Sequence, residues 1–541
     1  MSAGPHRWAR RGLLLLLAAQ ALVGLFWLAR NLGDVPEYND TLDYIRCSRS
    51  LEVPGYRGVA YPLFLAAIDR LVGGEDLEVA DEASADEHPG AGRVKQGRAD
   101  RRLPGNAFVP NPRSRQALVV QLVQLVLVAG SLTYFLRVFV APLGGSRTHA
   151  ALGGLLVWLL LADPLVGHLQ LAVLTDGLTL SASLVACAAL VRLLFGERQR
   201  VLHAAALFLS VLLASTLRVE KVWVLAGTLL GSLAFRWLTE RRRDASARAL
   251  SSARALQVAC IALAAVLAAL AAQRAFRGEG KRLPAYDFIL DQRILFPHLV
   301  AVYPELPAEF RAAMSEDEAR AHDEDVVFAW RGIEGVGGGD PELRRSLLES
   351  AARVVLRERW PWIVLDVSKD VAESVAVSYS FYGHLGALAC LGRQEYGIIR
   401  ADYNRWTYQQ MSLYHPGTTR LYLALSGLSL LVCSVLALAH ARRSRAEDSA
   451  RIEPARRQAW VPIGVFVLVN ALAFALTTGL VHPRYAVFAH VALLALVYRG
   501  ALGWAAQPGT PGSSPALFSS PIRERGRTSE DGAGLEPGAP G

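Results

Sequence analysis

Hydrophobic and polar positions along this chain are sorted into blocks. Apolar runs cover Leu13 to Ala29 and then about 116–140, 150–167, 174–195, 201–217, 222–238, 254–273, 419–440, 459–481 and 485–504, with charge clusters between them. Each run is long enough for a helix across ~30 Å of hydrocarbon. The pattern predicts an all-α polytopic membrane protein with a bundle of about ten transmembrane helices and two long extracytoplasmic loops. Residues 1–30 would hold the N-terminus and first span, 31–115 the first loop, 116–273 spans two to seven and 274–418 the second loop. Spans eight to ten would fill 419–504, and 505–541 would be a disordered cytoplasmic tail rich in Gly, Pro and Ser.

Charge orients the bundle. Arg7, Arg10 and Arg11 precede the first run, which is long and has no clean A-x-A site after it, so an uncleaved span is expected. Basic residues on its N-side place that end in the cytoplasm. Alternating the spans from there makes four connections cytoplasmic. They hold Arg147, then Arg198 and Arg200, then Arg241 to Arg243, then Arg442, Arg443, Arg445, Arg456 and Arg457. All agree with the positive-inside rule.

The two long loops have their own patterning. In the first, Val59 to Val72 is apolar, too short to span and contains Pro62, so it predicts a helix at the membrane interface or re-entering beside the bundle. The Gly/Pro-rich stretch after it carries acidic pairs between 75 and 87 and reads as a mobile insertion. In the second, Pro307 to Ala321 and Leu343 to Leu356 show helical spacing, and Trp360-Pro361-Trp362 is an aromatic-belt candidate. No internal repeat of the transporter kind is visible.

Composition adds constraints. At 52% hydrophobic residues over 541 positions, a soluble protein of this size is excluded. The net charge of +9 is not a nucleic-acid signal, and 53 of the 57 basic residues are arginine. That usage fits a GC-rich bacterial genome and hence the bacterial cytoplasmic membrane. The five cysteines show no metal spacing. Cys187, Cys260 and Cys433 read as small core residues, and a bridge between Cys47 and Cys390 is geometrically open.

The candidate chemistry gathers at the extracytoplasmic span ends. Asp40 and Asp43 follow the first span inside Tyr38-Asn39-Asp40-Thr41-Leu42-Asp43-Tyr44. Asp163-Pro164, His168 and Asp176 lie between spans three and four. Arg218-Val219-Glu220-Lys221 joins spans five and six, and His482-Pro483-Arg484-Tyr485 joins the last two. Arg274, Arg277, Lys281 and Arg282 follow span seven. Bland alternatives stand beside these: Asp163-Pro164 as a helix end, His168 as an interface histidine, Arg218 and Glu220 as a local ion pair, Arg274 to Arg282 as a solvated flank. The Asn39-Asp40-Thr41 sequon reads as accidental. Cations on this face oppose the positive-inside trend, and an anionic lipid head group would explain them, since arginine forks bind phosphate bidentately.

In that order and sidedness the motifs resemble the GT-C superfamily of integral-membrane glycosyltransferases, protein mannosyltransferase and aminoarabinose transferase-like, glycosyltransferase family 39-like. Four features carry it: the acidic residue in Asp40-Thr41-Leu42-Asp43-Tyr44, the Gly-Tyr-Arg-Gly-x-x-Tyr-Pro segment over Gly55 to Ala66, Thr175-Asp176 opening span four, and the His-x-Arg-Tyr turn at His482 to Tyr485. Arg57-Gly58 stands where the family often has prolines. The resemblance implies transfer of a sugar from a polyprenyl-phosphate donor to a lipid, glycan or protein acceptor on the extracytoplasmic face. Asp40, or Asp43, would be the general base. Arg484 and His482, with Arg218 and Lys221, would hold the leaving phosphate, and Tyr485, Tyr61 and Arg57 would complete the substrate site. Asp176 would either orient a base or bind a divalent metal ion with Asp40. Other readings are a transporter or flippase of lipid-linked sugars, which should carry ionisable residues at mid-bilayer, and a non-catalytic envelope-assembly protein. The clean centres of most spans speak against the transporter.

Overall fold

The computed structural model describes residues 4–33, 39–51, 53, 58–72, 115–139, 147–172, 174–195, 200–218, 220–240, 245–276, 285–324, 333, 335–375, 416–448, 460–477 and 483–506. At some helix ends, 39–43 and 483–486 among them, it describes the backbone alone. The acidic insertion at 75–87, the Gly-rich tail from 507, Arg57, Cys390 and His482 lie outside the described residues.

All ten apolar runs fall on helices. In chain order these are α1 (Gly4–Asn31), α4 (Arg115–Phe139), α5 (Arg147–Leu161) with α6 (Pro164–Leu171), α7 (Thr175–Phe195), α8 (Arg200–Leu217), α9 (Lys221–Glu240), α10 (Ala245–Ala275), α15 (Pro416–Asp448), α16 (Val461–Thr477) and α17 (Pro483–Ala506). Six are long and apolar enough to cross a membrane, and the bent pair α5–α6 would make a seventh. The chain is therefore a multi-pass α-helical membrane protein. Helix α9 falls outside that set, and the apolar parts of α16 and α17 are shorter. The main core is the apolar interior shared by these helices, with α7 at its centre: nearly all of its residues are buried.

The span expected at 150–167 is broken. Helices α5 and α6 meet at 66° around Ala162-Asp163. Asp163 ends one helix and caps the next, its Oδ1 accepting the backbone N–H groups of Leu165 and Val166, with Pro164 at the first helical position. The kink is thus written in the Asp-Pro pair. Tyr422 of α15 donates its hydroxyl to the Ala162 carbonyl, satisfying a group that the break frees.

Two further helices lie at the end of the bundle where α1 stops: α2 (Asn39–Ser50) and α3 (Ala60–Val72). Helix α3 buries Tyr61, Leu65 and Ile68 against α2, α4 and α8, as a short apolar helix lying on a bundle should. Gly58 reaches the end of α8 so closely that any Cβ there would run into the Thr216 and Leu217 carbonyl oxygens. That contact is open only to glycine and anchors the segment leading into α3.

The described residues between 285 and 375 form a lobe with its own apolar core. Helix α11 (Ala285–Ile289) continues as one π-helical turn, Leu290–Leu295, then a 3-10 turn, Val300–Glu305. The single stretch expected over Pro307 to Ala321 is two helices, α12 (Ala308–Ala313) and α13 (Glu316–Glu324). The separation has a local cause. Ser315 and Glu318 form a reciprocal capping box that starts a new helix. Helix α14 (Pro341–Val375) contains the predicted 343–356 helix but runs straight through Pro361. It packs on α16 and α17, while Trp360 and Trp362 are more than half exposed.

Cys187 and Cys433 are buried as expected, but Cys260 is exposed on α10, where it lines an open groove beside α8.

Candidate functional site

Helix α7 opens at Thr175 and immediately carries Asp176, which is 3% exposed. Asp176, Thr179, Leu180 and Ser183 recur at helical spacing and form one stripe. That stripe is one wall of a small pocket of about 20 Å³, room for little more than a water molecule. Arg218 and Lys221, from the turn between α8 and α9, form a second wall, and Phe474 of α16 with Val487 and Phe488 of α17 form the third. Five helix ends far apart in sequence converge here.

Charge defines the pocket. Arg218 Nη2 lies 2.7 Å from Asp176 Oδ1, its Nη1 lies 3.1 Å from Glu220 Oε1, and its Nε donates to Thr175 Oγ1 at 3.1 Å. The expected Arg218–Glu220 ion pair is therefore present, but it is the lesser half of a three-way clamp. Lys221 is 6% exposed. Its ammonium donates to the amide oxygen of Asn470 and stands over the rings of Phe474 and Phe466, with nitrogen-to-centroid distances of 4.9 and 5.8 Å. The pocket is thus lined by two cations and one carboxylate, and Glu220 beside Arg218 supplies a second carboxylate that balances the charge, in a setting where charge is costly. Asp176 Oδ2 and Thr179 Oγ1 are buried with no hydrogen-bond partner among the described residues. Buried polar atoms are rarely left so; here they lie beside a cavity that could supply a partner.

The residues expected to act together are partly gathered. Asp176, Arg218 and Lys221 are. Tyr61 packs beside them: its ring stacks edge-on against Tyr44 at 5.1 Å, and both belong to the same apolar cluster as Leu174, Leu178 and Leu217. Asp40 and Asp43 lie in the first turns of α2, just before Tyr44 of this cluster, and α2 packs on α3; their side chains are outside those described. Arg484 and Tyr485 lie in the first turn of α17, about one turn before the pocket residues Val487 and Phe488. Their side chains, like Arg57 and His482 as a whole, are also outside the description. Asp176 Oδ1 is paired with Arg218, and the side chain of Asp40, its expected partner on a metal, is outside those described. No group of three metal-ligating side chains occurs among the described residues.

His168 is fully buried in α6. The bend places Asp163 beside another histidine, His490 of α17, whose Nε2 lies 2.7 Å from Asp163 Oδ1. Other polar side chains also cross the bundle interior, including Gln20 with Tyr498 and Gln124 with the Gln170 carbonyl. The helix centres are therefore less clean than hydropathy suggests. Asn470, Thr179 and Ser183 were not singled out by sequence reasoning. Asn470 had a usable signal, a lone amide inside an apolar span; Thr179 and Ser183 share the Asp176 stripe.

In comparison with known proteins, no family model, no curated protein and no solved structure matches the chain.

Proposed function

We propose that the protein is a membrane glycosyltransferase of about ten spans that moves a sugar from a polyprenyl-phosphate donor to an acceptor at the α2–α3 end of the bundle, facing away from the cytoplasm of a bacterial inner membrane. The observation that carries this reading is the placing of Arg218 and Lys221, both largely withdrawn from solvent, around one pocket mouth. Two cations fixed in a poorly hydrated setting suit a leaving lipid phosphate, because positive charge placed in advance stabilises the charge that develops there. Arg218 offers a planar fork held by Asp176 and Glu220, and Lys221 a point charge held by Asn470. Asp40 would take the acceptor proton, and Arg484 with His482 would add to the phosphate site from α17. The C–O bond to the anomeric carbon breaks as the acceptor oxygen or nitrogen bonds to it, and the electron pair leaves with the phosphate.

The test is sugar transfer in proteoliposomes supplied with polyprenyl-phosphate-linked sugars. Asp40→Asn is expected to abolish transfer without loss of folded protein, and Lys221→Gln and Arg484→Ala to weaken donor binding. Full turnover in both Asp40→Asn and Asp43→Asn would overturn the assignment.

One observation favours a second reading, a transporter or flippase of lipid-linked sugars. The broken helix α5–α6 carries a buried carboxylate–histidine pair inside the bundle, and broken helices with interior ionisable groups are the usual build of transporter sites.

A further inference from the structure

Helices α8 and α10 pack side by side, yet along part of their length they leave an open groove of about 610 Å³ lined almost wholly by apolar atoms. On α8 the lining residues Val201, Ala204 and Phe208 follow helical spacing; on α10 they are Ile261 and Ala264 with Cys260. Three of the lining residues, Ala204, Ala205 and Ala264, are alanines, whose short side chains leave the surface hollow. The groove occupies the first ~12 Å of α8 and stops well short of its far end. It lies far along α8 from the pocket formed by Arg218 and Lys221, and belongs to neither function proposed above.

Both lining stripes end in an arginine at the same end of the bundle. Arg200 is the first residue of α8, four positions before Ala204 and so on the same face. Arg254 precedes Ile261 by seven positions, two turns along the same face of α10. Arg200 is exposed, while Arg254 is half-buried and its Nε is shielded from solvent with no hydrogen-bond partner among the described residues. An apolar trough of ~12 Å, most of the ~15 Å hydrocarbon depth of one leaflet, with an arginine further along each lining helix at one end, has the polarity of one kind of molecule: an amphiphile with an apolar tail and an anionic head.

We infer that this groove binds an anionic phospholipid of the surrounding leaflet, with an acyl chain lying along Phe208, Ile261 and Ala264 and the head-group phosphate between Arg200 and Arg254. The alanines fit the tail because they leave the width of a chain between the helices. The two forks fit the head because arginine meets phosphate oxygens bidentately and cannot lose its charge. A zwitterionic lipid would fill the trough equally but would return less at the arginine end, so the site discriminates by head-group charge.

The experiment is native mass spectrometry of protein released from nanodiscs of equal phosphatidylglycerol and phosphatidylcholine. Wild type should retain one phosphatidylglycerol with about thirtyfold preference, the ratio that two arginines each worth roughly 1 kcal/mol toward an anionic head group would give. The Arg200→Gln/Arg254→Gln double variant should retain both lipids alike. Ala264→Leu, which narrows the trough and leaves the arginines in place, should reduce retention of the bound lipid altogether. Equal retention of the two lipids by wild type, or an unchanged preference in the double variant, would overturn the proposal.

Discussion

Arg218 Nη2 stands 2.7 Å from Asp176 Oδ1, tying the turn after α8 to the first turn of α7 across 42 residues of chain. Both groups are largely withdrawn from solvent, at 12% and 3% exposure. A buried pair of this kind is weak evidence for stability by itself, but removing one partner strands the other and costs about 3–5 kcal/mol. Glu220 remains beside Arg218, so the lower part of that range is expected for Asp176→Ala. Arg218→Leu/Asp176→Leu should recover much of the loss, because the one charge then left without its partner, Glu220, is partly exposed to solvent. Thermal unfolding of the detergent-solubilised variants in a double-mutant cycle measures this. A double variant no better than Asp176→Ala would show that the clamp holds α7 and α8 together by geometry, not by charge.

Gly58 sets a second expectation. With the Thr216 and Leu217 carbonyls against its Cα, Gly58→Ala must push the segment before α3 off the end of α8. Overpacking of this sort costs about 1–3 kcal/mol. The same displacement would move Tyr61 from under Tyr44, so protease access to the α2–α3 region should rise along with the fall in melting temperature. An unaltered digestion pattern would mean that the contact yields without consequence.

Much of the architecture was legible because the bilayer imposes length and composition on any helix that crosses it: every apolar run is a helix. The break at Asp163 was also legible in kind, since Asx-Pro favours a turn, but its angle and its partner His490 depend on how α17 packs. Sequence separated the outward-end charges into loops and could not see that Asp176, Arg218 and Lys221 share one pocket while Asp163 lies apart from it. The capping box at Ser315 and Glu318 was present in the sequence and was passed over because the amphipathic spacing of 307–321 ran across it. Phe474 and Asn470 entered the site through packing of α16 on α9, which no local pattern encodes.

The 285–375 lobe contains a titration that should be measurable. His322 is fully buried; its Nε2 lies 2.7 Å from Asp291 Oδ1 and its Nδ1 3.0 Å from Asp323 Oδ1. Burial pulls its pKa down, but hydrogen bonds and charge from the two carboxylates more than reverse this and raise it to about 9. The folded value is thus above the unfolded value of ~6.5, so its contribution is complete below pH ~6.5 and is lost as pH rises through about 9. The size is on the order of 3 kcal/mol at most. Urea unfolding of the lobe, followed by hydrogen exchange corrected for intrinsic rates, should show stability falling from pH 6.5 to 9. His322→Gln should flatten that dependence; an equal slope in the variant would assign it to other groups.

The Asp163–His490 pair separates the two functional readings. Asp163 has a structural task, since its Oδ1 caps α6 through Leu165 and Val166 and meets His490 Nε2 at 2.7 Å. Asparagine can perform that task, because an amide oxygen accepts the same backbone bonds and ranks with aspartate as a cap. Leucine cannot, and it would forfeit a cap of about 1 kcal/mol and leave His490 short of a partner at a further ~1–3 kcal/mol. Asp163→Asn should therefore melt close to wild type and Asp163→Leu well below it. If the pair serves only to brace the kink, Asp163→Asn should also transfer sugar at the wild-type rate, with the chemistry untouched at Asp40 and Lys221. A carboxylate that must take up and release a proton for transport cannot be replaced by an amide. A well-folded Asp163→Asn protein that loses all flux of lipid-linked sugar across the membrane would then favour the transporter. Measuring melting temperature, sugar transfer and sugar flux on the same preparation distinguishes the brace from the proton carrier, because only the latter separates stability from function at this position.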